Sequence, residues 1–162
     1  MKALTNQIII LLISTSLFNC SSNNPDNLNP DGDYLTCDIS NNSFNATYTA
    51  GAYAVNTLAI TGMILGTDEF VNITIYNPVE GTTYNLESIT NEVNTTSITV
   101  STATDEYYTA GYEYGSGTIT LSYYDSNSAV GNFDVIADYE GIGDGSVSIT
   151  DGEFSVTSII KY

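Results

Sequence analysis

Carboxylates are the side chains of this sequence from which an acid–base site could most readily be built. The chain has 162 residues and contains 19 Asp and Glu residues, two Lys residues, and neither Arg nor His. Without His, no Ser-His-Asp triad can form and no imidazole can bind a metal ion. A pair of carboxylates can still hydrolyse a glycosidic bond when the two groups lie roughly 5–10 Å apart. The candidates for such a pair are Asp105, Glu106, Glu113, Asp134, Asp138 and Glu140.

The spacing of these acids does not assign any two of them to one site. Asp134 stands between Phe133 and Val135, and this alternation predicts that its side chain points to solvent. The distances between the other acids depend on strand pairing, which spacing along the chain does not give. We therefore expect that the protein is not an enzyme and has no catalytic residue and no cofactor. A carboxylate-based glycoside hydrolase remains an alternative.

The glycine-rich segment 138–145 is a second candidate, because hard oxygen ligands suit Ca²⁺. Its acids are Asp138, Glu140 and Asp144. Their spacing lacks the alternating Asp/Asn ladder of an EF-hand loop and the Glu at its twelfth position. The segment is instead typical of a solvated hairpin loop, so we expect no metal site, with calcium binding in this loop left open.

Tyrosines crowd the second half of the chain and are candidates for a binding face. Tyr108, Tyr112 and Tyr114 have the same parity, so they would line one face of a strand if no bulge interrupts it. The amphipathic tyrosine ring suits sugar stacking and adaptable interfaces. Tyrosine is also simply a favourable strand residue. These three positions are our predicted binding residues, for a glycan or a protein ligand.

The charge of the chain excludes one large class of partner. The formal net charge is −17, and the only cationic side chains are Lys2 and Lys161. Nothing in the chain can neutralise a row of phosphates, so nucleic acid is not an expected partner.

The N-terminus predicts an exported and lipid-anchored protein. Residues 1–19 have one positive charge, at Lys2, and an apolar run from Ile8 to Phe18 that is shorter than the ~20 residues of a membrane span. The following Leu17-Phe18-Asn19-Cys20-Ser21 resembles a bacterial lipoprotein box, in which the Cys is acylated and becomes the new N-terminus. The resemblance implies that Cys20 carries diacylglyceryl and palmitate and anchors the protein in the outer membrane, on its periplasmic or outer side. An ordinary secreted or membrane-retained form is the alternative.

The rest of the chain divides into a tether and one domain. Residues 20–33 contain the predicted lipidated Cys and a polar segment with Pro25 and Pro30. Residues 34–162 have the size of one domain with a single core. Cys37 alternates with Leu35 and Ile39, which predicts a small core side chain on the inward face of a strand.

Apolar residues of this domain recur with a period of two. Val71, Ile73 and Ile75, for example, alternate with polar residues, and turn residues such as Asn77-Pro78 separate the runs. We predict an all-β domain: a single antiparallel β-sandwich of about eight to ten short strands, with an up-and-down β-barrel as the alternative. The segment 150–153, Thr-Asp-Gly-Glu, lies between two alternating runs and predicts a hairpin.

Three segments resemble a family of small bacteroidete lipoproteins known only as a domain of unknown function. They are ITIYNPVEGTTYNL at 73–86, GSGTITLSYYDSNSAVGNFDVIA at 115–137 and GSVSITDGEFSVTSI at 145–159. The resemblance implies an all-β extracytoplasmic lipoprotein, and it implies no activity and no catalytic residue. We therefore expect a lipid-anchored envelope protein that is a non-enzymatic binding or structural module. A glycan-capture accessory protein is the alternative.

Overall fold

The part of the chain that the structure describes consists of β-strands, turns and loops and contains no helix. The structure is a computed structural model that describes residues 32–87, 95–104, 106–111, 113–141 and 145–162. These residues belong to one compact unit, Asp31–Tyr162. The strands are β1 (Tyr34–Ile39), β2 (Asn42–Asn45), β3 (Tyr48–Ala54), β4 (Thr57–Met63), β5 (Phe70–Tyr76), β6 (Thr82–Leu86), β7 (Ser97–Ser101), β8 (Tyr107–Ala110), β9 (Ser116–Tyr124), β10 (Ala129–Tyr139), β11 (Ser146–Val156) and β12 (Ile159–Lys161).

The period of two seen in the sequence is the period of burial in the strands. In β5, Val71, Ile73 and Ile75 are fully buried, and the residues between them are half-exposed. Successive side chains of a strand point to opposite faces, so one face of each strand supplies the core and the other meets solvent. The all-β class predicted from the sequence is confirmed.

The strands form one hydrogen-bonded sheet that bends into two layers. Its order is β12-β3-β4-β5-β7-β8-β10-β11-β1-β2, with β9 paired to β10 and β6 paired to β9. We call β12, β3, β4, β5, β7 and β8 the first layer and the other six strands the second layer. Strand β10 joins the two layers. Its residues Asp138 and Tyr139 pair with β8 of the first layer, and its preceding residues pair along the same edge with β9 of the second layer.

The two layers face each other across one core. Buried apolar side chains of both layers form a single cluster. Two glycines of the first layer allow close contact: a Cβ on Gly62 would lie 2.8 Å from the Cβ of Leu35, and one on Gly51 would lie 3.1 Å from Cγ2 of Val156. The arrangement is a sandwich made from a curled sheet.

The sheet differs in two respects from the predicted one. The described chain has twelve strands, and β10 and β11 each contain 11 residues. All strand pairs are antiparallel except that of β12 with β3, which is parallel. Strand β12 has only 3 residues, which is too few for alternating hydrophobicity to predict a strand. Just before it, the backbone N–H and hydroxyl of Thr157 donate to Oδ1 of Asp33 at 2.6 and 2.7 Å.

The hairpin predicted for residues 150–153 is wrong, because β11 runs through them without a turn. The registers of β11 with β1 and with β10 both shift here, which marks a β-bulge. Asp151 has φ 51°, and its N–H donates to Oδ1 of Asp134 at 3.1 Å. An Asp-Gly pair supports a left-handed backbone in a turn or in a bulge. Because β11 pairs with β1 on one side and with β10 on the other, both before and after these residues, the backbone forms a bulge here and not a turn.

The predicted core position of Cys37 is confirmed. Its thiol is 4% exposed on the inward face of β1 and forms no disulfide. Burial, followed by the negative charge of Asp38, raises the pKa of the Cys37 thiol from 9.0 to about 12. The thiol therefore stays protonated at neutral pH and packs as a small apolar group.

Candidate binding face

The residues predicted to form sites fall into several separate places. Cys20, Asp105, Tyr112 and Asp144 lie outside the described residues. Tyr108 lies in β8, where its ring packs against the core and lies 5.5 Å from that of Tyr139, centroid to centroid. Its hydroxyl donates to Oε2 of Glu106 at 3.2 Å. Burial and this hydrogen bond raise the pKa of Tyr108.

The β-strand structure is interrupted between Tyr108 and Tyr114. β8 ends at Ala110 and β9 begins at Ser116, and Tyr114 forms an isolated bridge with Gly111. Oδ2 of Asp138 accepts the N–H of Gly115 at 2.7 Å and fixes this interruption. Because no unbroken strand joins Tyr108 to Tyr114, side-chain alternation does not place the two residues on one face.

The candidate carboxylates of the described chain hold local structure in place. Asp138 and Asp134 accept backbone N–H groups at the β8–β9 interruption and at the β11 bulge. Glu106 accepts the hydroxyl of Thr104 at 2.8 Å, and Glu140 accepts that of Thr109. Glu113 is exposed and has φ 69°. Among the residues described, no three His, Cys, Asp or Glu side chains are grouped to hold a metal ion.

A surface that the sequence analysis did not single out has a composition unlike the rest of the chain. It is the solvent side of five neighbouring strands, β3, β4, β5, β7 and β8, and we call it the first outer face. Strand register and alternating burial define its members. They are Tyr48, Ala50, Ala52, Ala54, Thr57, Ala59, Thr61, Met63, Phe70, Asn72, Thr74, Tyr76, Ser97, Thr99, Ser101, Tyr107 and Thr109. None of these side chains is an acid or a cation.

Hydroxyl and amide groups are linked across the middle of the first outer face. Thr61 donates to Oδ1 of Asn72 at 2.8 Å, and Nδ2 of Asn72 donates to the hydroxyl of Thr74 at 3.4 Å. Thr99 and Thr109 share a hydrogen bond of 2.9 Å. At the margin of the face, the carboxylate of Glu140 accepts a hydrogen bond from the hydroxyl of Thr109. A hydroxyl has one donor and two acceptor positions, so these groups retain capacity to bind a ligand.

An aromatic pair lies at one end of the face. Phe70 is opposite Ser101, and Ser101 is opposite Tyr107, so the three form a row across β5, β7 and β8. The rings of Phe70 and Tyr107 are 6.0 Å apart between centroids and tilted by 58°. Ser101 is 0% exposed, and its Oγ has no hydrogen-bond partner among the described residues. The tyrosine exposed on the outer surface of β8 is thus Tyr107 rather than Tyr108.

The burial of Ala110 in the structure agrees with the outward position of Tyr107. In a strand, Ala110 and Tyr108 share a face, and Tyr107 and Thr109 share the other. Phe70 gives a weaker signal because it begins its strand directly after Glu69, next to a turn. The row of three residues depends on pairing between distant strands, which local spacing does not specify.

Comparisons with known proteins add no further constraint. No protein-family model, no curated protein and no solved structure matches the chain.

None of the described residues belongs to a helix with the length and hydrophobicity required to cross a bilayer.

Proposed function

We propose that the protein is a lipid-anchored component of the bacterial cell envelope that acts as a non-enzymatic binding module. Residues 1–19 serve as its signal peptide and Cys20 as its acylated N-terminus. The domain is held at the outer membrane by a tether of residues 20–33. Thirteen peptide units from Cys20 to Asp33 reach at most about 45 Å when fully extended. The domain therefore works close to the membrane surface.

The observation that supports a binding role is the first outer face. The chain has a formal charge of −17, yet none of the seventeen residues of the first outer face is an acid, and an aromatic pair lies at one end of the face. Aromatic residues are enriched where proteins contact their partners. This composition favours a surface that is covered by a neutral partner.

The roles of the carboxylates support a module without catalytic activity. Asp134, Asp138, Glu106 and Glu140 accept hydrogen bonds from backbone or hydroxyl groups of the domain itself. A glycosidase needs one carboxylic acid and one carboxylate that both face the scissile bond. The lipoprotein box and the family resemblance of the three segments support the envelope location.

Acylation of Cys20 is tested by metabolic labelling with palmitate followed by detergent partitioning. We expect the wild-type protein to incorporate palmitate and to enter the detergent phase, because several acyl chains give stable anchoring whereas one is marginal. Cys20→Ala should do neither. Cys37→Ala is the matched control, since it removes the other cysteine, which is buried in the domain, and it should label like the wild type. Equal labelling of Cys20→Ala and wild type would overturn the anchored function.

A further inference from the structure

We propose that the first outer face binds a neutral polysaccharide chain, with Phe70 and Tyr107 as its stacking platform. This inference rests on the proposed binding function and names the class of ligand. The site that it assigns consists of the aromatic pair together with the hydroxyl and amide groups of Thr61, Asn72 and Thr99.

Charge identifies the ligand as neutral. An anionic polymer would be repelled by a chain with a formal charge of −17. A cationic ligand would be drawn to carboxylates, but the strands of the first outer face present none, and the carboxylate of Glu140 lies at the margin of the face. The side chains available for contact are uncharged donors and acceptors, which suit the hydroxyl groups of a sugar.

The aromatic pair provides the apolar part of such a site. A pyranose ring has an apolar C–H face and a rim of hydroxyl groups, and an aromatic ring offers a flat surface of matching size. Tyr107 is 42% exposed, and its ring and that of Phe70 cover the buried Ser101. Thr99 lies next to this pair in the adjacent row, opposite Asn72. A sugar stacked on the rings would therefore place its hydroxyl groups beside polar side chains.

The size of the face favours an extended oligosaccharide over a protein. Five strands spaced by about 4.8 Å, each seven or fewer residues long, cover roughly 20 Å by 20 Å, or about 400 Å². A standard protein interface buries about 800 Å² on each partner. A second copy of the chain would in addition bring a second charge of −17 against the first.

Affinity electrophoresis of the full-length protein in detergent tests the proposal. The gels contain one soluble polysaccharide each: the neutral polymers dextran, β-glucan, galactomannan and arabinoxylan, or the anionic polymer polygalacturonate. We expect at least one neutral polymer to retard the protein and polygalacturonate not to. Phe70→Ala and Tyr107→Ala should each weaken retardation by about tenfold, which corresponds to a loss of about 1.4 kcal/mol.

Two further variants separate binding from folding. Tyr123→Ala removes a tyrosine that is 44% exposed outside the first outer face, so its retardation should equal that of the wild type. Asn72→Asp is isosteric and replaces the Nδ2 donor in the middle of the face by a carboxylate oxygen, which only accepts, so it should weaken retardation while the protein remains folded. Retardation by no neutral polymer, or equal retardation of wild type and both aromatic variants, would overturn the proposal.

The same gels distinguish this inference from the proposed anchoring. Cys20→Ala should be retarded like the wild type, because the acyl group is not part of the face. If palmitate labelling fails and retardation persists, the anchored function is overturned and polysaccharide binding stands. If labelling succeeds and retardation is absent, polysaccharide binding alone is overturned.

Discussion

The two outer faces of the sandwich differ sharply in charge, although both belong to strands with the same alternating pattern. The solvent side of the second layer carries several acids, whereas that of the first layer carries none. The acids of this second outer face are Asp38, Asp134, Asp138, Asp151 and Glu153. Negative charge is therefore spread unevenly over the domain. The second outer face is acidic, whereas the first outer face is uncharged.

The polar groups of the two faces also interact with different parts of the protein. On the second face, Asp134 accepts the N–H of Asp151 at the bulge, and Asp38 accepts the hydroxyl of Ser43 at 2.7 Å. On the first face, the hydroxyl and amide groups bond mainly to each other. Acids fix irregular backbone in one layer, while neutral side chains cover regular strands in the other. The three predictions below test this difference.

The largest change in the free energy of unfolding is expected when alanine replaces a closely packed glycine, and one such glycine is compared in each layer. In Gly131→Ala the new Cβ would lie 2.3 Å from the backbone O of Thr120 and 2.5 Å from the ring of Phe154, next to a register shift of β10. Overpacking of this kind should lower the free energy of unfolding by about 3 kcal/mol or more. Urea denaturation followed by circular dichroism measures the loss.

Gly51→Ala is the matched variant in the first layer. Its nearest atoms would be 3.1 and 3.2 Å away, in the side chains of Val156 and Ile159, which can shift slightly. We expect a loss of about 1 kcal/mol. Equal losses in the two variants would contradict the view that the irregular backbone makes the second layer the less tolerant one.

The second-largest effect is expected at alkaline pH, where ionisation of Cys37 in the second layer lowers the free energy of unfolding. The pKa of Cys37 is about 12 in the folded protein, against an ordinary value of 9.0. The unfolded chain therefore releases this proton first, so the stabilisation is complete below pH 9 and is lost as pH rises towards 12. The loss should be about 1 kcal/mol per pH unit within that window.

Cys37→Ala separates this contribution from that of the tyrosines. The variant should show a shallower decline between pH 9 and 11, when the free energy of unfolding is measured in urea at each pH. Some decline should remain, because burial also raises the pKa values of Tyr48 and Tyr124. Parallel pH curves for wild type and variant would show that the thiol ionises equally in the folded and unfolded chains.

The smallest effect is expected from moving single charges on and off the two faces. Asn72→Asp should lower the melting temperature in dilute buffer by an amount that corresponds to about 1 kcal/mol, and NaCl should restore part of it. Glu153→Gln should raise the melting temperature slightly and reduce the stabilisation by NaCl. Melting curves at 10 mM and 500 mM NaCl give both quantities. Effects of the same sign in the two variants would contradict a charge-based difference between the faces.

The parts of the fold that follow from side-chain period could be predicted from the sequence. The buried rows of β5 and the inward position of Cys37 needed only alternation. The bulge at Asp151 could not be told from a turn, because the same Asp-Gly chemistry serves both. The turn at Val55 and Asn56, with φ of 49° and 61°, gave no signal, since a β-branched residue rarely adopts positive φ.

The candidate face was predictable only in part, for a different physical reason. Both parities are occupied by aromatic residues at Tyr107 and Tyr108, so alternation alone did not reveal which ring is outside. Phe70 joins Tyr107 only through the pairing of β5 with β7 and of β7 with β8. Such pairing is a property of the whole core, and no short segment of the chain encodes it.

The bond between Asp33 and Thr157 has a consequence for the timing of folding. It joins residues that are 124 positions apart, and β1 likewise requires β11 as its neighbour. Contacts between such distant residues form slowly, because closing a long loop costs chain entropy before the contact repays it. The domain cannot close until nearly its last residue is available. For a protein proposed to cross a membrane by means of its N-terminal signal, a domain that needs its last long strand in order to close is compatible with transport as an unfolded chain.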